Sequence, residues 1–175
     1  QEALETLVEV APDRANQLLE AFLHDPAASA DLRMETLSTL AQGERRTPRT
    51  LDLVQQAALA DPSVEDQREA VQALAEFGSG AAAEGLVRLI WEHPRPQMRV
   101  EAVETVTELL VELSSPIVDR VLREHPDVDV ARRAVESLEE LPEARALPLL
   151  IRAAREHASA AVREEARDQL GDTTM

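Results

Sequence analysis

Three histidines, His93, His125 and His157, stand 32 residues apart. Imidazoles at a fixed interval invite a metal reading. A zinc site wants its ligand nitrogens about 2.0–2.1 Å from a single ion. Residues one packed helix apart have backbones about 8–10 Å from one another. Two such histidines could reach a shared ion, but three in a row could not, so no metal site is expected. These rings are expected to end helices, capping carbonyl groups and facing the negative end of the helix dipole. Asp25 and Asp61 hold the same place earlier in the chain, so the position tolerates either charge. His24 falls one position off this series and reads as a surface residue.

A second series has more to offer. Arg88, Arg120 and Arg152 recur at the same interval, with Gln56 one step earlier, and four residues on stand Glu92, Glu124 and Glu156. With Leu86, Val87 and Ile90 facing inward on a helical wheel, residues 88 and 92 face solvent. One reading is an intrahelical Arg–Glu pair in each repeat, worth about 0.2–0.5 kcal/mol because arginine precedes glutamate. A second is plain duplication of a repeat. The third is a stripe that binds a partner. Trp91, the single tryptophan, lies on the flank of this stripe. Its counterparts Leu23, Leu59, Arg123 and Arg155 show that the place need not be core. It is expected to pack half-buried on the next repeat or to act as an interface anchor, a role tryptophan and arginine often fill.

Motifs of catalysis are missing. The chain has no G-x-x-x-x-G-K-[ST], G-x-G-x-x-G, H-E-x-x-H or G-x-S-x-G sequence. Ser79, between Gly78 and Gly80, reads as a turn between helices and lacks the preceding strand of a nucleophile elbow. There is no Cys and no Tyr. The expectation is a chain that is not an enzyme and takes no cofactor. With 34 acidic against 18 basic residues the formal net charge is -16. A nucleic-acid binder needs a positive face to displace counterions from phosphates. Neither nucleic acid nor anionic membrane is therefore an expected partner, and a basic or mixed-charge protein or peptide is.

The elements that position these residues follow from the period. Ala70, Ala102, Ala134 and Ala166 are 32 apart, with Thr36 in the corresponding place of the first unit. One residue on are Leu37, Val71, Val103, Val135 and then Arg167, a change expected of a terminal helix. Four on are Leu40, Leu74, Val106, Leu138 and Leu170. This helix, A, alternates with a helix B whose inward pairs are Leu18 with Phe22, Val54 with Ala58, Leu86 with Ile90, Val118 with Leu122, and Leu150 with Ala154. Turns between A and B are expected at Gly43 to Pro48, Gly78 to Gly80, Ser114 to Pro116 and Pro142. Pro116 and Pro148 are expected early in helix B, where a missing N–H costs little. A repeated helical hairpin of this length is a solenoid. The expected fold is all-α: a right-handed α-solenoid of about five stacked hairpins and about eleven helices. Residues 1–175 read as one array, with units near 13–41, 48–77, 81–113, 116–140 and 144–170 after a helix at 2–10. No apolar run approaches the roughly 20 residues of a membrane helix, so no membrane insertion by this segment is expected. The pattern is already running at Gln1, which suggests a piece of a larger protein, and the absence of a signal peptide and of Cys favours the cytoplasm.

The stretches Asp61-Pro62-Ser63-Val64 through Arg68-Glu69-Ala70-Val71-Gln72-Ala73-Leu74, and His125-Pro126-Asp127-Val128 through Arg133-Ala134-Val135-Glu136-Ser137-Leu138, resemble HEAT-like repeats of the short bacterial kind. Such repeats are known from phycobilisome lyases and bacterial scaffold proteins. The resemblance implies that the B helices line a concave inner face, which would place Gln56, Arg88, Trp91, Glu92, Arg120, Glu124, Arg152 and Glu156 along a groove. It also implies that Arg33, Arg99 and Arg163 tie helix A to an acidic loop of a neighbouring unit. The function expected is a non-catalytic interaction or scaffold module holding a protein or peptide in that groove. The alternative is a structural spacer or sensor-associated segment of a larger bacterial protein, such as a membrane-anchored one. A bilin-attaching lyase is a further rival by resemblance, and a HEAT-like DNA glycosylase is opposed by the acidity.

Overall fold

Short polar residues, Ser29, Thr47, Ser63 and Asp127, open several of the helices. The computed structural model describes residues 12–25, 27–41, 47–61, 63–78 and 80–173. The chain divides into two compact units, Gln1–Phe77 and Gly78–Met175. The expected helix at 2–10 lies outside the described residues.

The first unit holds α1 (Pro12–His24), α2 (Ala30–Leu40), α3 (Pro48–Ala60) and α4 (Val64–Glu76). The Ser29 hydroxyl accepts from the Leu32 N–H and opens α2, and Ser63 does the same for α4 through the Asp66 N–H. At α3, Thr47 and Thr50 form a reciprocal capping box with Pro48 in the first turn. Thr36, Leu37, Val54, Ala58, Ala70, Val71 and Leu74 are buried between these helices. Thr36 can occupy the alanine series because its hydroxyl donates back to the Leu32 carbonyl at 2.6 Å. The helix B stripe departs from expectation in α1. Leu19 is fully buried there, and Leu18 is 39% exposed. One residue turns a helix by about 100°, so this helix presents the neighbouring row. Across the unit, Arg33 Nε donates to Asp66 Oδ2 at 2.6 Å, with the carboxylate wholly buried. α4 then ends at Gly78, whose φ of 60° is the left-handed conformation that glycine adopts without strain.

The second unit holds α5 (Gly80–Glu92), α6 (Pro96–Leu109), α7 (Val111–Glu124), α8 (Val128–Glu136), a 3-10 turn (Ser137–Glu140), α9 (Glu143–Glu156) and α10 (Ala160–Thr173). The described residues thus contain ten α-helices. Helices A of this unit, α6, α8 and α10, pack side by side through Ala102, Ala134 and Ala166, each fully buried. Small side chains at the crossing let these helices approach closely. Val103, Val106, Val135 and Leu138 fill the layer beneath, and Leu86, Ile90, Val118, Leu122 and Leu150 face it from helices B. Arg167 is exposed on α10.

Two boundaries differ from the sequence expectation. The turn between α6 and α7 is Leu110 alone, with φ −117° and ψ 41°, rather than Ser114 to Pro116. Ser114 is buried inside α7, and Leu110 is buried at the turn. Pro116 and Pro148 each fall at the sixth residue of their helix, α7 and α9. The arginines near the starts of helices A are structural ties. Arg99 Nε donates to the His93 carbonyl at 2.6 Å and pairs with Asp127 at 3.8 Å. Arg163 donates to the carbonyls of His157 and Ala158.

Candidate functional site

The exposed rows of α5, α7 and α9 carry the Arg–Glu series. Arg88 donates to Glu92 at 3.0 Å, with both side chains 63% exposed, and Arg120 donates to Glu124 at 3.1 Å. Solvated pairs of this kind contribute a few tenths of a kcal/mol, about 0.3–0.5 in a helix, so their arrangement on the surface matters more than their stability. Gln56 is exposed on α3 in the first unit.

The third rung is built differently. Arg152 leaves Glu156 and pairs with Asp119 on α7. Arg123 reaches the other oxygen of the same carboxylate at 3.1 Å. Asp119 lies outside the 32-residue Arg–Glu series. Its signal was there, since the corresponding residues are Gln55, Val87 and Ile151 and only α7 offers a carboxylate at this place. Glu156 is exposed, and no ion pair holds it among the described residues. A second tie, Arg145 to Glu112 at 2.8 Å, joins the N-terminal ends of α9 and α7.

Trp91 is half-buried and serves as the hub between the first two rungs. The Arg120 guanidinium lies 4.6 Å from its ring centroid, a cation–π contact. His125 meets the indole edge-on, at 5.3 Å between centroids and 70° between planes. Nε2 of His125 is 3.0 Å from the Ile90 carbonyl, which fastens the end of α7 to α5.

Through Nδ1 all three histidines accept from the turn that follows, and His125 also donates to a helix-end carbonyl, Ile90, as expected from the sequence. Nδ1 of His93 accepts from the Arg95 N–H at 3.0 Å, Nδ1 of His125 from Asp127 at 3.1 Å, and Nδ1 of His157 from Ser159 at 3.1 Å. Asp25 and Asp61 accept the N–H two residues on in the same way, from Ala27 and Ser63, both at 2.8 Å. Imidazole and carboxylate interchange here because each offers a lone pair to the turn after helix B. An imidazole can accept at Nδ1 only when uncharged, and His125 then carries its proton on Nε2 and donates it to Ile90. Among the described residues no three His, Cys, Asp or Glu side chains converge as a metal site would require.

Burial pushes the His157 imidazole below the usual histidine range, and the Arg163 guanidinium adds to the shift. The neutral ring is therefore favoured in the folded chain. Its contribution is complete above the unfolded value of about 6.5 and is lost as pH falls through the lower folded value. His157→Asn keeps a neutral acceptor for the Ser159 N–H. Thermal melts at pH 7.5 and pH 5 are expected to show a smaller acid loss for this variant than for the native chain. An unchanged loss would show that His157 does not titrate into the acid transition.

No family model matches the chain, and no curated protein matches it. Among solved structures the chain is similar to the complex of CpcE and CpcF of phycocyanin lyase from Nostoc sp. PCC7120. The TM-score is 0.51 at 20% identity, over 86% of this chain. The fold is of the HEAT-like helical-repeat kind. The chain spans about 61% of the length of that solved chain. The likeness corrects one expectation. A chain without nucleotide, zinc or nucleophile motifs was expected not to be an enzyme, yet the protein it resembles is a lyase. Those motifs belong to particular chemistries, and their absence does not separate a binding solenoid from a catalytic one on the same fold. Among the described residues no helix is long and apolar enough to cross a membrane.

Proposed function

We propose that the chain binds a protein partner on the face formed by α5, α7 and α9. The observation that carries this reading is Trp91, half-exposed beneath Arg120 and set between two exposed Arg–Glu pairs. Rigid aromatic and guanidinium groups at a partly solvated surface are the residues that carry interface energy. Arg88, Glu92, Trp91, Arg120, Glu124, Arg152 and Glu156 form the contact row, and Gln56 marks the corresponding row in the first unit. An excess of 16 negative charges favours a basic or mixed-charge partner and would speed its approach. The solved complex that the chain resembles is itself an assembly of two proteins, CpcE and CpcF.

Capture from an extract of the source organism tests this. The native chain is run beside an Arg88→Glu, Arg120→Glu double variant. Both arginines are surface groups, so melting is expected to change little. Loss of two hot-spot arginines is expected to weaken capture at least about 30-fold. Equal capture by both chains would remove the partner from this face, and a large loss of melting temperature would show the arginines to be structural.

A second reading rests on the same likeness. The chain is a subunit of a lyase that attaches a bilin chromophore to a protein, with the α5–α7–α9 face holding the acceptor. Incubation of the chain with phycocyanobilin and a phycocyanin apoprotein, followed by the visible spectrum, tests it. A covalent adduct formed faster than without the chain supports the reading, and identical rates refute it.

A further inference from the structure

A cleft of about 320 Å³ opens between the C-terminal parts of α7 and α9. Its floor is Leu122, Leu149 and Ala153, and its rim includes Arg152, Glu156 and His157. This volume lies at the lower edge of the roughly 300–1,000 Å³ of small-molecule pockets. It suits one side chain better than a large ligand.

The repeat shows what such a side chain looks like. Moving each of these residues back by 32 positions gives the seam between α5 and α7. Arg152 becomes Arg120, Glu156 becomes Glu124 and His157 becomes His125. The rim residues are of the same types in both seams, with Arg152 paired to Asp119 where Arg120 pairs with Glu124. In the earlier seam an indole is seated there, Trp91, with the Arg120 guanidinium over its face and His125 against its edge. In the later seam the residue equivalent to Trp91 is Arg123, which runs back along α7 to Asp119. The floor is also opened, because Ala153 stands where the earlier seam has Val121. His157 is half-exposed, and among the described residues its Nε2 makes no bond to Leu122 that would match the bond of His125 to Ile90. The same frame is therefore filled by a ring in one rung and vacant of one in the next.

We propose that the α7–α9 cleft takes an aromatic side chain from the bound partner, seated beneath Arg152 and edge-on to His157 as Trp91 is seated beneath Arg120 and against His125. This deepens the partner-binding reading and rests on it. The apolar floor supplies the burial, the Arg152 guanidinium a cation–π contact, and the His157 ring an edge-to-face contact. The free carboxylate of Glu156 at the rim suits a basic residue beside the aromatic one.

The test uses the full chain and a small probe, N-acetyl-tryptophan amide, so that it does not depend on the partner. Amide shifts of the isotope-labelled chain are followed during titration. Saturable shifts are expected at Leu122, Ala153 and Glu156, and N-acetyl-leucine amide is expected to bind about 5-fold more weakly because it lacks the ring contacts. Two variants fill the cleft from within. Ala153→Leu raises the floor, and Arg123→Trp places an indole where Trp91 stands in the earlier seam. Each is expected to abolish the shifts, and at least one must melt near the native temperature for the comparison to stand. Absence of saturable shifts at these residues, equal binding of the leucine probe, or shifts that persist in a folded variant would each overturn the proposal. Failure of the probe alongside continued, arginine-dependent capture of a partner would reject the aromatic cleft and leave the binding face in place.

Discussion

His125→Ala is expected to cost about 2–6 kcal/mol of folding stability, since it orphans two polar groups at about 1–3 kcal/mol each. The ring accepts from the Asp127 N–H through Nδ1 and faces the Ile90 carbonyl through Nε2. It is also 8% exposed and packs edge-on to Trp91. Alanine removes the acceptor, the donor and the ring contact together, at the point where α7 is fastened to α5. His125→Asn keeps an acceptor for the turn and gives up the rest, so it is expected to recover part of the loss. Urea denaturation at pH 7.5, followed by helical circular dichroism, gives both values. Equal losses for the two variants would mean that the turn acceptor contributes nothing, and the interchange of His with Asp along the repeat would need another cause.

Ala134→Leu is expected to destabilise the chain by about 1–3 kcal/mol through overpacking. Ala134 is fully buried in α8, between α6 and α10. Three added heavy atoms there must push apart helices that alanine lets approach. The matched control is Ala161→Leu on the exposed row of α10, which is expected to stay within about 0.5 kcal/mol of the native chain. A neutral Ala134→Leu would contradict the close packing of helices A through their alanine series.

The alanine series and the inward Leu, Val and Ile rows were legible because burial imposes a period on side-chain size. Three 0%-exposed alanines in α6, α8 and α10 are the direct consequence. The placing of Arg88 and Glu92 was legible for the same reason, since a helical wheel separates solvent from core. Hydrogen-bond direction was not. A histidine after a helix can donate to carbonyls or accept from the turn, and residue type alone does not choose. The presence of Asp at the same place was the available clue, because a carboxylate only accepts. The Arg152–Asp119 pair was also hidden, because it depends on two neighbouring helices bringing positions 33 apart into reach. The one-residue turn at Leu110 is masked by the stronger breaker signal of Ser114 to Pro116, yet Pro116 sits at the sixth residue of α7, past the first turn, and gives up one backbone hydrogen bond there. The shift from Leu18 to Leu19 in α1 turns on a single residue of helical phase. The enzyme question lies outside what residue spacing can answer on a fold shared by binding and catalytic proteins.

The measurement that most directly tests the binding face is site-specific photo-crosslinking in an extract of the source organism. A photoreactive residue replaces Glu92, Glu124 or Glu156 on helices B, and Glu108 or Glu164 on helices A. All five are exposed acidic positions, so each substitution removes the same charge. One partner protein is expected to crosslink from the three helix B positions and not from the two helix A positions. Crosslinks from Glu108 or Glu164, with none from α5, α7 or α9, would place the partner on the other side of the repeat and rule out the α5–α7–α9 binding face.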